Sequence, residues 1–187
     1  VDFVFHIAGH ADVRGGLSDH MINHVENLEM THNVLEAMYN NNVKKIAFAS
    51  TSSVYGDAAT HPTPEESPFM PTSLYGAAKA ASEQYIQAYA AYYDWSVYIF
   101  RFVSFVGERY THGIIYDLLK KLKNNSSVLE VLSDGTPRKS SVYVGDGVDA
   151  IFKVITKSKQ KINIFNIGHD DILSVDEIVD TILSEAK

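Results

Sequence analysis

The sequence contains no cysteine. Disulfides, thiolate metal sites and cysteine nucleophiles are therefore excluded, and with no sign of an oxidising compartment the cytoplasm is the expected setting. A basic excess is missing as well. Lys and Arg total 16 against 23 Asp and Glu, a formal net charge of −7 with no basic run, which argues against a nucleic-acid surface but leaves room for a local phosphate pocket. No apolar stretch approaches the roughly 20 residues that a bilayer span requires, and the first residues do not read as a signal peptide, so no membrane partner is expected. An initiating Met is absent too: Val1 opens directly on an apolar strand pattern, and the expectation is a piece of a longer chain.

What is present is a chain of 187 residues, 45% of them hydrophobic. That suffices for one domain with a sizeable core or for most of a larger one. Val1 to Ile7 reads as a short buried strand ending at the small pair Ala8-Gly9. Apolar residues at mixed three and four spacings predict a helix over Met21 to Tyr39, broken by Asn40-Asn41-Asn42. A strand follows at Lys44 to Ser50, then a long loop with prolines at 62, 64, 68 and 71. Ser73 to Tyr93 reads as a helix and Trp95 to Phe102 as a strand. Beyond these, helices are predicted over Gly113 to Lys123, Gly147 to Lys157 and Ser174 to Ala186, with extended segments at Val128 to Leu132, Ser141 to Val144 and Asn163 to Ile167. Strands alternating with helices of this length call for βαβ crossovers and a parallel α/β sheet covered on both faces. Ligands of such sheets gather at the carboxyl ends of strands, where AGHADVR, STSSVYG and RFVSFVGER lie.

One of these regions carries recognisable chemistry. In TSLYGAAK, Tyr75 and Lys79 stand four apart at the start of an alanine-rich helix, so they share a face. A nearby ammonium is expected to lower the phenol pKa from its ordinary value near ~10 and fit Tyr75 to take a proton from an alcohol. The hydroxyl-rich end of the preceding strand, Ser50-Thr51-Ser52-Ser53, would hold that alcohol in line. Together these are the parts of alcohol oxidation with hydride leaving to a nicotinamide. A Tyr and a Lys four apart occur in many helices without function; the weight lies in their conjunction with the serine-rich strand end.

In this order the motifs resemble the extended short-chain dehydrogenase/reductase family, within it the NAD-dependent sugar-nucleotide epimerases and dehydratases. VDFVFHIAGHADVR, ENLEMTHNVLEA, FASTSSVYGD, PTSLYGAAKAASEQY, RFVSFVGER, RKSSVYVGDGVDA and FNIG follow the family order along nearly the whole chain. The resemblance implies a Rossmann-like doubly wound sheet over residues 1–105. Residues 106–187 would then contribute to a smaller substrate-binding region and return to the sheet. It implies NAD as cofactor and a nucleotide sugar, most simply a UDP-sugar, as substrate. Tyr75, Lys79 and Thr51 take the catalytic positions; Ala8, Gly9, Asn27, Ser50 and Val103, together with Tyr75 and Lys79, those facing the cofactor. The substrate side falls to Thr51, Tyr75, Ser104, Arg138 and Lys139, and a homodimer through the helix of Tyr75 and Lys79 is implied as well.

Three departures matter. Ser104 stands where many members carry Asn, and Lys139 where many carry Arg, so neither reproduces the usual diphosphate contacts; Arg138 is the candidate for the missing fork. Ser52 and Ser53 stand where water-eliminating members carry carboxylates, which favours oxidation and re-reduction, the course of a 4-epimerase. The glycine-rich fingerprint of the first βα turn is not in this sequence, so the N-terminal βαβ portion is expected to be missing from it. Two rivals stay open: a reductase or dehydrogenase of the same family, and a non-catalytic NAD-binding module. His20, His24 and His32 have helical spacing, but with no Cys or convergent carboxylate beside them no metal site is expected. Tyr85, Tyr89, Tyr92 and Tyr93 read as a packing or subunit stripe.

Overall fold

The computed structural model describes residues 1–185, apart from the side chain of Lys139; Ala186, expected as the last residue of the final helix, lies outside the described residues. The chain divides into two units, Val1–Phe102 with Ala150–Ile167, and Val103–Asp149 with Gly168–Lys187.

The first unit carries β1 (Val4–His6), α1 (Met30–Asn40), β2 (Lys45–Thr51), α2 (Leu74–Tyr93) and β3 (Ser96–Phe102). The second contains β4 (Ser104–Val106), α3 (Ile114–Asn124) and β5 (Arg138–Tyr143), after which α4 (Val144–Lys157) runs across the boundary. β6 (Ile162–Ile167) returns to the first unit, and β7 (Ile172–Ser174) and α5 (Val175–Glu185) complete the second. In the first unit the strands form a parallel sheet of order β1-β2-β3-β6. In the second, β5 pairs in parallel with β4 and antiparallel with β7.

Pairing in register sets the core of the first unit. Ile46 lies opposite Val97 and Phe48 opposite Ile99, so alternate residues of β2 and β3 present one apolar face. Leu35 and Met38 of α1 and Ile86 and Ala90 of α2 cover it. Leu35, Ile46, Ile86, Val97 and Ile99 are completely buried, each worth about 1.5–3 kcal/mol relative to exposure. This packing fixes the direction of β2 and α2, whose ends carry the candidate site.

Three expectations need correction. The helix predicted from Met21 is interrupted by a π-helical turn at His24–Glu29 before α1 begins. Its extra residue per turn is invisible to a periodicity argument based on 3.6 residues. The strand expected over Val1 to Ile7 is paired only at Val4–His6. Val128 to Leu132 forms no strand; its alternate apolar residues Leu129 and Val131 pack around Leu118, Ile178 and Ile182 without ladder partners among the described residues.

His6, in β1, is 4% exposed and shares a hydrogen bond of 2.9 Å between its Nε2 and Thr31 Oγ1. Burial, and secondarily the charge of Lys79, push its pKa from 6.5 down to about 4. Between those two pH values the unfolded chain binds a proton that the folded chain refuses, so stability rises with pH across the window and is flat below it. The full effect is about 3 kcal/mol. Urea unfolding from pH 4 to 7.5 is expected to show this loss on acidification for the parent protein, and His6→Gln is expected to remove that part of the slope. Parallel slopes in the two proteins would refute it.

Candidate functional site

β2 delivers Thr51 to the site. At this strand end Thr51 keeps extended dihedrals and caps the following 3₁₀ turn Ser52–Tyr55: its Oγ1 accepts from Ser53 N and donates to Ser53 Oγ, both at 3.1 Å. The helix α2 delivers Tyr75 and Lys79. Ser73 caps it through Oγ, which accepts from Gly76 N at 3.0 Å, so Tyr75 sits in the first turn. Gly76 is needed at this point for contact rather than conformation, since a Cβ there would lie 2.6 Å from Ser53 O. The absent side chain lets α2 approach the turn that carries Thr51.

Tyr75 and Thr51 share a side-chain hydrogen bond. Burial nevertheless raises the phenol pKa above its ordinary value, and the Thr51 bond only opposes that rise. The expected lowering by Lys79 is not what the structure shows, because the ammonium is held elsewhere. Lys79 Nζ donates to Ala49 O at 2.9 Å and lies 4.7 Å from the centre of the Phe48 ring. With 5% of its surface exposed, Lys79 is shifted by burial from 10.5 to about 8, so it stays mostly protonated at neutral pH.

Asn27 approaches from the π-helical turn and is 2% exposed. Its backbone carbonyl accepts from the Met30 amide and from Thr31 Oγ1 at 2.6 Å. Ala8 and Gly9 lie exposed just beyond β1. A Cβ on Gly9 would come within 2.5 Å of Asn27 Oδ1 and 3.5 Å of Lys79 Nζ. Gly9, Asn27, Thr51, Tyr75 and Lys79 are thus all residues of the first unit, at strand ends and helix starts.

Ser50 occupies its expected strand position, and its hydroxyl donates to Glu83. Glu83 in turn holds Arg101 at 2.7 Å in an ion pair whose side chains are 0% and 3% exposed. Arg101 also donates to Tyr55 Oη at 2.6 Å and to Glu65 O at 2.7 Å, and Tyr55 Oη donates to Asn166 Oδ1 at 2.8 Å. The network ties β3, α2, β6 and the proline-rich loop together. Sequence reasoning missed it; the available signal was a charged residue inside the apolar run VYIFRF, a position that demands a buried counter-ion.

The remaining candidates belong to the second unit. Val103 packs beside Gly168, and Ser104 is exposed in β4. Arg138, expected as a phosphate fork, donates to Ile172 O and pairs with Glu177 at 3.8 Å. These contacts engage its Nη2 within the β5, β7 and α5 corner. The side chain of Lys139 lies outside the described residues. Of the histidines considered as ligands, His32 packs edge-on against Tyr85 and Tyr89, with ring centres 5.9 and 6.4 Å away.

The family model described as "NAD dependent epimerase/dehydratase family" matches residues 1–168. Similar curated proteins include a putative UDP-glucose 4-epimerase of Methanocaldococcus jannaschii, 33% identical over 99% of this chain and 61% of that protein. A dTDP-D-glucose 4,6-dehydratase of Mus musculus is 30% identical over 86% of this chain and 45% of its own length. Among solved structures, a UDP-galactose 4-epimerase superposes with a TM-score of 0.88 at 38% identity, covering 98% of this chain and 61% of that one.

Proposed function

This chain belongs to the NAD dependent epimerase/dehydratase family, and on that premise we propose that the complete protein is a cytoplasmic 4-epimerase of a nucleotide sugar, most simply UDP-glucose and UDP-galactose. The observation that carries the choice within the family is the composition of the strand end beside Tyr75. Thr51 is followed by Ser52 and Ser53, and its hydroxyl is bonded to Ser53 and Tyr75. Elimination of water needs a further acid and base at the sugar, and hydroxyls of ordinary pKa are poor candidates for either. Oxidation and re-reduction need only one proton acceptor in line with the departing hydride.

The residues of the site fit an NAD cofactor. Gly9 offers backbone without a side chain where Asn27 Oδ1 and Lys79 Nζ converge, and that Oδ1 is a buried acceptor with no protein donor. Gly9, Asn27 and Lys79 would hold the cofactor, which when bound supplies the hydride acceptor and a positive charge. Thr51 positions the sugar hydroxyl through its hydrogen bond. Tyr75 takes the hydroxyl proton as the carbinol C–H bond breaks, leaving a keto-sugar, and returns the proton after the sugar presents its other face. No net oxidation results, because the same C–H and O–H bonds are remade with inverted configuration.

A homodimer is part of this proposal. Tyr39 on α1 and Tyr85 and Tyr92 on α2 are 49%, 47% and 80% exposed, a tyrosine-rich face that supports self-association through these helices. A monomer in analytical ultracentrifugation at micromolar concentration would remove this part of the reading.

The deciding assay supplies the complete protein with catalytic NAD and either UDP-glucose or UDP-galactose, and resolves the sugars. Interconversion of the two without accumulation of NADH is the expected result. A dehydrated keto-sugar product would assign the chain to the eliminating branch of the family, and stoichiometric NADH would make it a dehydrogenase.

A further inference from the structure

Asn23 has no obvious reason to be an asparagine. It opens the π-helical turn with helical dihedrals and makes no capping hydrogen bond, yet it is only 1% exposed. Its side chain reaches instead to Asn27, four residues on. Asn27 Nδ2 donates to Asn23 Oδ1 at 3.0 Å and to His10 O at 3.2 Å, so both protons of that amide are used. This fixes both orientations. Flipping Asn27 would turn its carbonyl onto two acceptors, and flipping Asn23 would set two NH₂ groups face to face.

The consequence lies on the opposite side of Asn27. Its Oδ1 must face Gly9, where it lies 2.5 Å from the point a Cβ would occupy, with Lys79 Nζ 3.5 Å from the same point. Asn23 Nδ2, the other end of the clamp, has no protein hydrogen-bond partner and lies 3.1 Å from the point a Cβ on Gly16 would occupy. An apolar side chain of similar shape would fill that position without a buried, unpartnered donor, so packing alone does not account for Asn23.

We propose that Asn23 is a positioning residue, which clamps the Asn27 amide in the one orientation that aims a buried acceptor at the space shared by Gly9 and Lys79. The proposal rests on the site reading given above. An acceptor there offers a fixed partner to a hydroxyl group of the bound dinucleotide. Without the clamp, Asn27 retains only the His10 carbonyl to orient it.

The test uses the complete protein with Asn23→Leu, which keeps the shape and removes the clamp, and Asn23→Asp, which keeps an acceptor oxygen toward Asn27 and replaces the unpartnered NH₂ by a second carboxyl oxygen. Asn23→Leu is expected to keep the parent melting temperature within a few degrees and to lower kcat about 10-fold, with KM for the sugar nucleotide changed less than about twofold. Asn23→Asp is expected to restore kcat to within about threefold of the parent. With ¹⁵N-asparagine labelling, the Asn27 side-chain NH₂ resonances should shift and exchange faster in Asn23→Leu. Unchanged kcat or unchanged Asn27 resonances in the leucine variant would overturn the proposal, as would a folded aspartate variant no more active than the leucine one. If the aspartate variant does not fold, the leucine spectrum decides alone. Asn27→Leu run alongside separates the two levels of the argument. Full turnover in that variant overturns the site reading itself, whereas lost turnover there with full turnover in Asn23→Leu overturns only the clamp.

Discussion

Tyr75→Phe is expected to lower turnover of the complete protein about 10³-fold while leaving its melting temperature and its NAD affinity near the parent values. The phenol is the one group of ordinary acid–base range that α2 places in hydrogen-bond contact with Thr51, and the substitution removes a single oxygen without changing the ring that packs. Its pKa is raised by burial, so the unliganded protein holds Tyr75 as a neutral phenol at pH 7. Ionisation has to be driven by positive charge brought to the site. Lys79, with a pKa near 8, is mostly charged at neutral pH but is turned to Ala49 O and Phe48. The rate of the parent should therefore rise with pH toward the alkaline side as the phenol ionises, and the residual rate of Tyr75→Phe should lack that limb. Thr51→Ala should cost less, about 10- to 10²-fold, because it removes alignment and one hydrogen bond rather than the proton acceptor. A Tyr75→Phe protein within about fivefold of the parent kcat would remove Tyr75 from the chemistry.

The candidate residues of the first unit were legible because each depends on a short-range rule. The spacing of Tyr75 and Lys79 is set by one helical turn, Ser73 is a local cap, and Thr51 ends a strand whose apolar run is visible in KIAFAST. The parallel sheet followed from the same alternation of strands and helices. What was not legible depends on partners distant along the chain. The direction of the Tyr75 shift reflects how deeply α2 is buried and where Lys79 finds its acceptor, neither of which is encoded in a four-residue interval. The commitment of Arg138 to Glu177 and Ile172 O is decided by the antiparallel pairing of β5 and β7, and the strand sought at Val128 to Leu132 was lost to helix packing. The π-helical turn joins this group. It brings Asn23 and Asn27 into register for one hydrogen bond, while the apolar spacing around it reads as an ordinary helix.

The largest stability effect is expected at Glu83, another residue whose partner lies far along the chain. Glu83→Leu should destabilise the protein by about 3–5 kcal/mol, because it strands the Arg101 guanidinium in a site from which water is excluded. Glu83 is fully buried, and it receives Arg101 Nε at 3.1 Å on both carboxylate oxygens and Nη2 at 2.7 Å. Ser50 loses its acceptor in the same step. The damage should extend to the proline-rich loop, since Arg101 also donates to Glu65 O and stands 4.8 Å from the Phe69 ring centre. Faster amide exchange at residues 62–70 should therefore accompany the loss of stability. Replacing both ends, as Glu83→Leu with Arg101→Met, should recover a large share of the loss by removing the uncompensated charge, although Tyr55 Oη and Glu65 O then lose a donor. Urea unfolding of the two single variants and the double variant gives the coupling between them. A Glu83→Leu protein within about 1 kcal/mol of the parent would show that Arg101 finds a substitute partner or reaches solvent, and that the pair does not hold β3 against α2.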